Sequence, residues 1–97
     1  MLKEVTSILG YQQVTGMSTA TALTVPQKDA NGLAGSARLA IIRPEVEAVR
    51  WRDDGVPSSS VGMPLGVGDT LYYDGDLTKI KFIEQTSGAI LNVSYYA

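Results

Sequence analysis

The chain of 97 residues contains no cysteine and no histidine. Disulfides, thiolate or imidazole metal sites, and catalytic triads built on either side chain are therefore excluded. Charge is sparse. Asp, Glu, Lys and Arg make up 19% of the residues and the net charge is −2, with both signs interspersed. A nucleic-acid binder needs a basic stripe, and none is present. No charged tail points to an electrostatic partner. No apolar run approaches the roughly 20 residues that span a bilayer as a helix. The opening stretch, MLKEVTSILG, is too short and too interrupted for a secretory leader. A soluble protein made in the cytoplasm is the resulting expectation.

The residues that are present point to β-structure. Hydrophobic residues reach 44%, enough for one modest core, so residues 1–97 are read as a single domain. Val, Ile, Thr and five Tyr suit a pleated, half-buried surface better than a helix. Four Pro and ten Gly divide the chain into short segments, the punctuation of an all-β fold. The expected architecture is a small β-sandwich or jelly-roll-like barrel of about six to eight short, mainly antiparallel strands.

Residues 1–17 have two readings. They form strands over 5–9 and 11–17, or an arm that orders only on binding. Ser18 to Val25 is β-branched and ends at Pro26, which reads as a strand, and Gln27 to Ser36 carries Asn-Gly and reads as a loop. Ala37 to Arg43 (ARLAIIR) is apolar on both faces, as in a strand covered on both sides or placed at an interface. Beyond Pro44, Glu45 to Arg52 alternates as a further strand, and Asp53-Asp54-Gly55 makes a turn. Val56 to Pro64 is expected as loop. Thr70 to Tyr73, the Asp74-Gly75 turn and Leu77 to Glu84 read as a hairpin, with Ile80 and Phe82 inward. Ala89 to Tyr95 follows with Ala89, Leu91, Val93 and Tyr95 inward, completing a three-stranded meander.

Chemistry is harder to find than structure. Asp53-Asp54 and Asp74-Gly75-Asp76 would offer oxygen ligands to Ca²⁺, but the EF-hand spacing is absent and Asp is expected in turns for conformational reasons. The glycines of VGMPLGVGD precede Asp-Thr, where a phosphate loop needs Lys-Ser/Thr, so they read as turn-formers. No cofactor and no catalytic constellation is expected. The densest cluster is Arg50, Trp51, Arg52, Asp53 and Asp54. It is either a Trp capping the core with Arg-Asp pairs at a strand end, or an anchor for a protein contact, where Trp and Arg are enriched.

The run VRWRDDGVPSSSVGMPL, residues 49–65, and the run GDTLYYDGDLTKIKFIEQTSGAILNVSYY, residues 68–96, carry a resemblance. They are similar to a family of short proteins of tailed bacteriophages and prophages. The matching residues are Arg50, Trp51, Arg52, Asp53, Asp54, Gly55, Pro57, Gly62, Met63, Pro64, Leu65, Tyr95 and Tyr96. The pattern favours Thr where Ser58 to Ser60 stand, and residues 1–36 have no counterpart in it. The resemblance implies a non-enzymatic virion protein: a homo-oligomeric β-module that decorates the capsid or forms part of the head–tail neck. Its partners would be itself and other virion proteins such as the major capsid or neck proteins, without nucleic acid or membrane. The contact residues expected on this reading are Arg50, Trp51, Arg52, Ser58, Ser59, Ser60, Met63 and Leu65. The alternative is a carbohydrate-binding module of a phage fibre or tail appendage, with Trp51, Tyr72, Tyr73, Tyr95 and Tyr96 as stacking platform.

Overall fold

A computed structural model describes residues 8–26 and 37–97, and all regular structure in them is β. The strands are β1 (Ile8–Val14), β2 (Thr21–Ala22), β3 (Leu39–Glu45), β4 (Val49–Arg52), β5 (Met63–Leu65), β6 (Leu71–Tyr73), β7 (Lys81–Glu84) and β8 (Ile90–Tyr96). They form two four-stranded antiparallel sheets, ordered β1-β8-β3-β6 (sheet A) and β2-β7-β4-β5 (sheet B). One cluster of buried apolar side chains draws on both sheets, as in a small β-sandwich.

β8 shows why the alternation works. Leu91, Val93 and Tyr95 are buried to within 1% of full, while Asn92, Ser94 and Tyr96 point to the other face. Ala89 precedes them, also buried, and Ile80 and Phe82 are fully buried as their pattern predicts. β3 lies between β8 and β6. Ala40 and Ile42 face the core, and Leu39 is covered on the opposite side, but that side opens toward Arg43 and Glu45.

Pro44 does not end this strand; β3 runs through it to Glu45. The Pro44 carbonyl accepts from the Gly68 N–H at 3.4 Å, on the side away from β8. The N and O of one residue face the same way along a strand, so the missing donor falls beyond the end of β6 and breaks no ladder bond. The expected single strand from Glu45 to Arg52 is therefore corrected. The chain turns at residues 46–48 and crosses to sheet B, with Val46 at φ 76°.

The C-terminal meander is corrected as well. β6 pairs with β3 in sheet A, β7 pairs with β4 and β2 in sheet B, and β8 returns to sheet A. Asp74-Gly75 does turn the chain, but the connection then carries Leu77 and Ile80 into the space between the sheets, where both are buried. Burying those side chains outweighs a local hairpin signal. Of Ser18 to Val25, only Thr21–Ala22 pairs, and within Val56 to Pro64 a strand begins at Met63 that sequence patterning missed. Three residues interrupted by Pro64 give no period to detect.

The N-terminal arm is corrected for residues 8–17. β1 pairs with β8 from Ile8 to Val14, Val14 packs opposite Leu91, and Met17 is fully buried. Residues 1–7 and the expected loop at 27–36 lie outside the described residues.

Candidate functional site

The Arg-Trp-Arg segment is in β4, one of the two inner strands of sheet B, and its neighbours decide what each side chain does. Val49 lies opposite Leu65 and Glu84, Arg50 opposite Pro64 and Ile83, and Trp51 opposite Met63 and Phe82. Directly opposed residues share a face. Trp51 therefore points to the same side as the buried Val49 and Phe82, while Arg50 and Arg52 point outward. Because β4 ends here, the indole is only half-buried. It meets Tyr73 of sheet A edge to face, with centroids 6.0 Å apart and planes at 67°. One edge of the indole thus closes the sandwich, and the rest lines an open groove.

That groove has a volume of about 430 Å³ and is lined by Trp51 to Asp54 and Val61 to Met63. Its rim is the long connection between β4 and β5. Val56, Val61 and Met63 stand on this excursion with 62%, 55% and 57% of their surface exposed. Val61 and Met63, exposed on the groove beside a half-buried Trp, with Val56 exposed on the same excursion, exceed the scattered single hydrophobics of an ordinary surface.

The excursion is built, not loose. Ser58 and Val61 exchange backbone bonds, Ser58 N–H to the Val61 carbonyl at 2.8 Å and the reverse at 3.3 Å. The Ser58 hydroxyl accepts from the Val61 N–H at 3.0 Å, the local capping that makes Ser a turn residue. Ser59 and Ser60 form the exposed tip. Gly62 has φ +142°, and a Cβ there would lie 3.1 Å from the Trp51 carbonyl oxygen, so only glycine fits.

The charged residues hold this corner in shape. Arg50 donates from Nη1 to the Gly62 carbonyl at 2.9 Å, tying the excursion to sheet B. Arg52 pairs with Asp54 at 2.9 Å. That hydrogen bond, aided by charge, holds the Asp54 carboxyl below its ordinary value and raises the guanidinium. Asp53 accepts from the Tyr73 hydroxyl at 2.8 Å. Burial, then this bond, pushes the Tyr73 phenol up to about 12. Asp76 caps its own turn through the Thr78 N–H and hydroxyl, which depresses it. Among the described residues, no group of three or more potential His, Cys, Asp or Glu ligands converges on one point.

The structure thus brings together Arg50, Trp51, Arg52, Ser58, Ser59, Ser60 and Met63 around one hairpin. Leu65 is the exception. It is 7% exposed, packs inward opposite Val49 and belongs to the core, because Val49 and Leu65 are the innermost pair of that hairpin. The five-aromatic platform is also corrected. Tyr95 is buried, Tyr73 and Trp51 face the sandwich interior, and only Tyr72 and Tyr96 lie on the outer face of sheet A. Tyr11, which sequence reading passed over, shares that outer face and is 64% exposed. Its segment has no clean alternation, since a bulge between Ile8 and Gly10 shifts the register.

No protein-family model, curated protein or solved structure matches the chain.

Proposed function

We propose that the protein is a non-enzymatic structural module of a tailed-phage virion, an oligomeric β-sandwich that decorates the capsid or forms part of the head–tail neck. The observation that carries the contact assignment is the β4–β5 excursion. It is a hydrogen-bonded hairpin that presents Val61 and Met63 to solvent beside Trp51, with Val56 exposed on the same excursion. Exposed apolar residues on a rigid support, ringed by Arg and Ser, have the composition of an interface patch rather than of a solvated loop. The motif residues Arg50 to Gly55 and Gly62 to Leu65, which carry the resemblance to phage proteins, form the two arms of this hairpin.

The test is assembly. Light scattering across a concentration series should give a defined oligomer, or a chain that becomes one on adding capsid or neck proteins. The double variant Val61→Asp/Met63→Asp places charge on exposed positions and should keep the melting temperature while abolishing association. Wild-type protein that stays monomeric and fails to join particles would refute the reading. A double variant that assembles normally would refute the contact residues.

A further inference from the structure

The outer face of sheet A, away from the β4–β5 hairpin of sheet B, gathers aromatic and polar side chains in register. Register places Tyr11, Ser94, Ile41 and Tyr72 in one row across β1, β8, β3 and β6, with Gln13, Asn92 and Arg43 in the next row. Tyr11 and Tyr72 are 64% and 54% exposed. They stand three strand spacings apart, about 14 Å. Two adjoining depressions of about 150 and 460 Å³ run along this face and share Arg43 and Asn92 as lining residues.

The polar groups between the rings are held in place. The Asn92 side-chain oxygen accepts from the Tyr11 hydroxyl and from Gln13 Nε2, the latter at 3.3 Å. Its amide nitrogen donates to Glu45 Oε1 at 2.8 Å. Arg43 is steered by a bond from Nη2 to the Gly68 carbonyl at 3.3 Å. An amide, a carboxylate and a guanidinium are therefore fixed side by side, flanked by exposed phenol rings.

We propose that this face binds a neutral saccharide chain. The flat C–H face of a sugar ring matches an exposed tyrosine ring, which is apolar on its face and polar at its tip. Planar amide, carboxylate and guanidinium groups offer paired donors and acceptors that suit neighbouring hydroxyls. Arg43 and Glu45 lie on one strand face and offset each other's charge, so nothing here selects an anionic ligand. A protein surface docking on the same face would strip water from Gln13, Arg43, Glu45 and Asn92, at a cost unless each were paired again. A hydroxyl-rich ligand replaces that water bond for bond. The proposal does not depend on the virion reading, because the β4–β5 hairpin remains open on the other sheet.

The experiment titrates isotope-labelled protein with neutral oligosaccharides of glucose, galactose and N-acetylglucosamine to millimolar concentration, following backbone and Asn/Gln side-chain amides. Saturable shifts centred on Tyr11, Arg43 and Asn92 are expected with at least one sugar. Tyr11→Ala and Asn92→Ala, checked for folding by amide dispersion, should weaken that binding by about tenfold or more, and Tyr11→Phe less. Absence of shifts with all three sugars overturns the proposal. So do shifts that map to the Trp51 groove, or a folded Tyr11→Ala that binds as wild type. Concentration-dependent broadening of the same amides without sugar assigns the face to a second copy, and overturns it too.

Discussion

Val46 is a β-branched residue at φ 76°, a region that L side chains avoid because Cβ crowds the following carbonyl. It sits on the corner where the chain leaves sheet A for sheet B and is 59% exposed, so its side chain contributes little packing. Val46→Gly should therefore raise stability, by about 1 kcal/mol after the extra freedom of glycine in the unfolded chain is set against the relieved strain. Urea denaturation at neutral pH reads the sign directly. Two tyrosines supply a second residue-level prediction. Tyr73 and Tyr95 are each pushed up to about 12, both chiefly by burial. Their unfolded value is near 10, so the unfolded chain loses these protons first. The stability they contribute is complete below pH 10 and is lost as pH rises toward 12, on the order of 2 kcal/mol for the buried Tyr95 and less for the partly exposed Tyr73, where solvent screens the effect. Denaturation midpoints measured from pH 8 to 12 should fall steeply above 10, and Tyr95→Phe should flatten part of that fall.

Aromatic residues on different strands have opposite fates according to which face of the sheet their position presents. Phe82 on β7 is fully buried between the sheets, whereas Tyr72 on β6 is more than half exposed. Phe82→Ala should cost about 3–5 kcal/mol, and Tyr72→Ala within about 0.5 kcal/mol, in the same denaturation assay. A comparable loss from both would mean that β6 presents its other face to the core. The strands are also tied by side chains. The Tyr95 hydroxyl donates to Gln12 Oε1 at 2.6 Å, and the same oxygen accepts from the Thr24 N–H at 3.2 Å. One amide thus joins β8 to β1 and β1 to the segment after β2.

Over the whole molecule, the first and last described strands pair with each other. β1 pairs with β8 along its length, and Met17 is buried in the shared core. A chain beginning at residue 18 should lose the fold altogether, giving collapsed amide dispersion rather than a trimmed but intact sandwich. A folded truncation would return residues 8–17 to the status of an arm. The same closure makes long-range pairing obligatory before the core is complete, so refolding belongs in the millisecond-to-second range.

Alternation within a single segment was readable from the chain itself wherever one face ends up in the core. The all-β class, strand β8, most of β3, and the inward sets Ile80/Phe82 and Ala89/Leu91/Val93/Tyr95 follow from short-range pattern and period-two alternation. The Arg50 to Met63 cluster was legible as a unit because its residues are contiguous. The tertiary structure alone decided the pairing partners and the exposure. Asp74-Gly75 signals a turn but not its destination, which was set by Leu77 and Ile80 seeking the space between the sheets. β5 is invisible until β4 lies beside it. Tyr11 and Tyr72, far apart in the chain, share a face only through β8 and β3 between them. Backbone pairing across a sheet is a relation between distant segments, whereas alternation is a property of one segment.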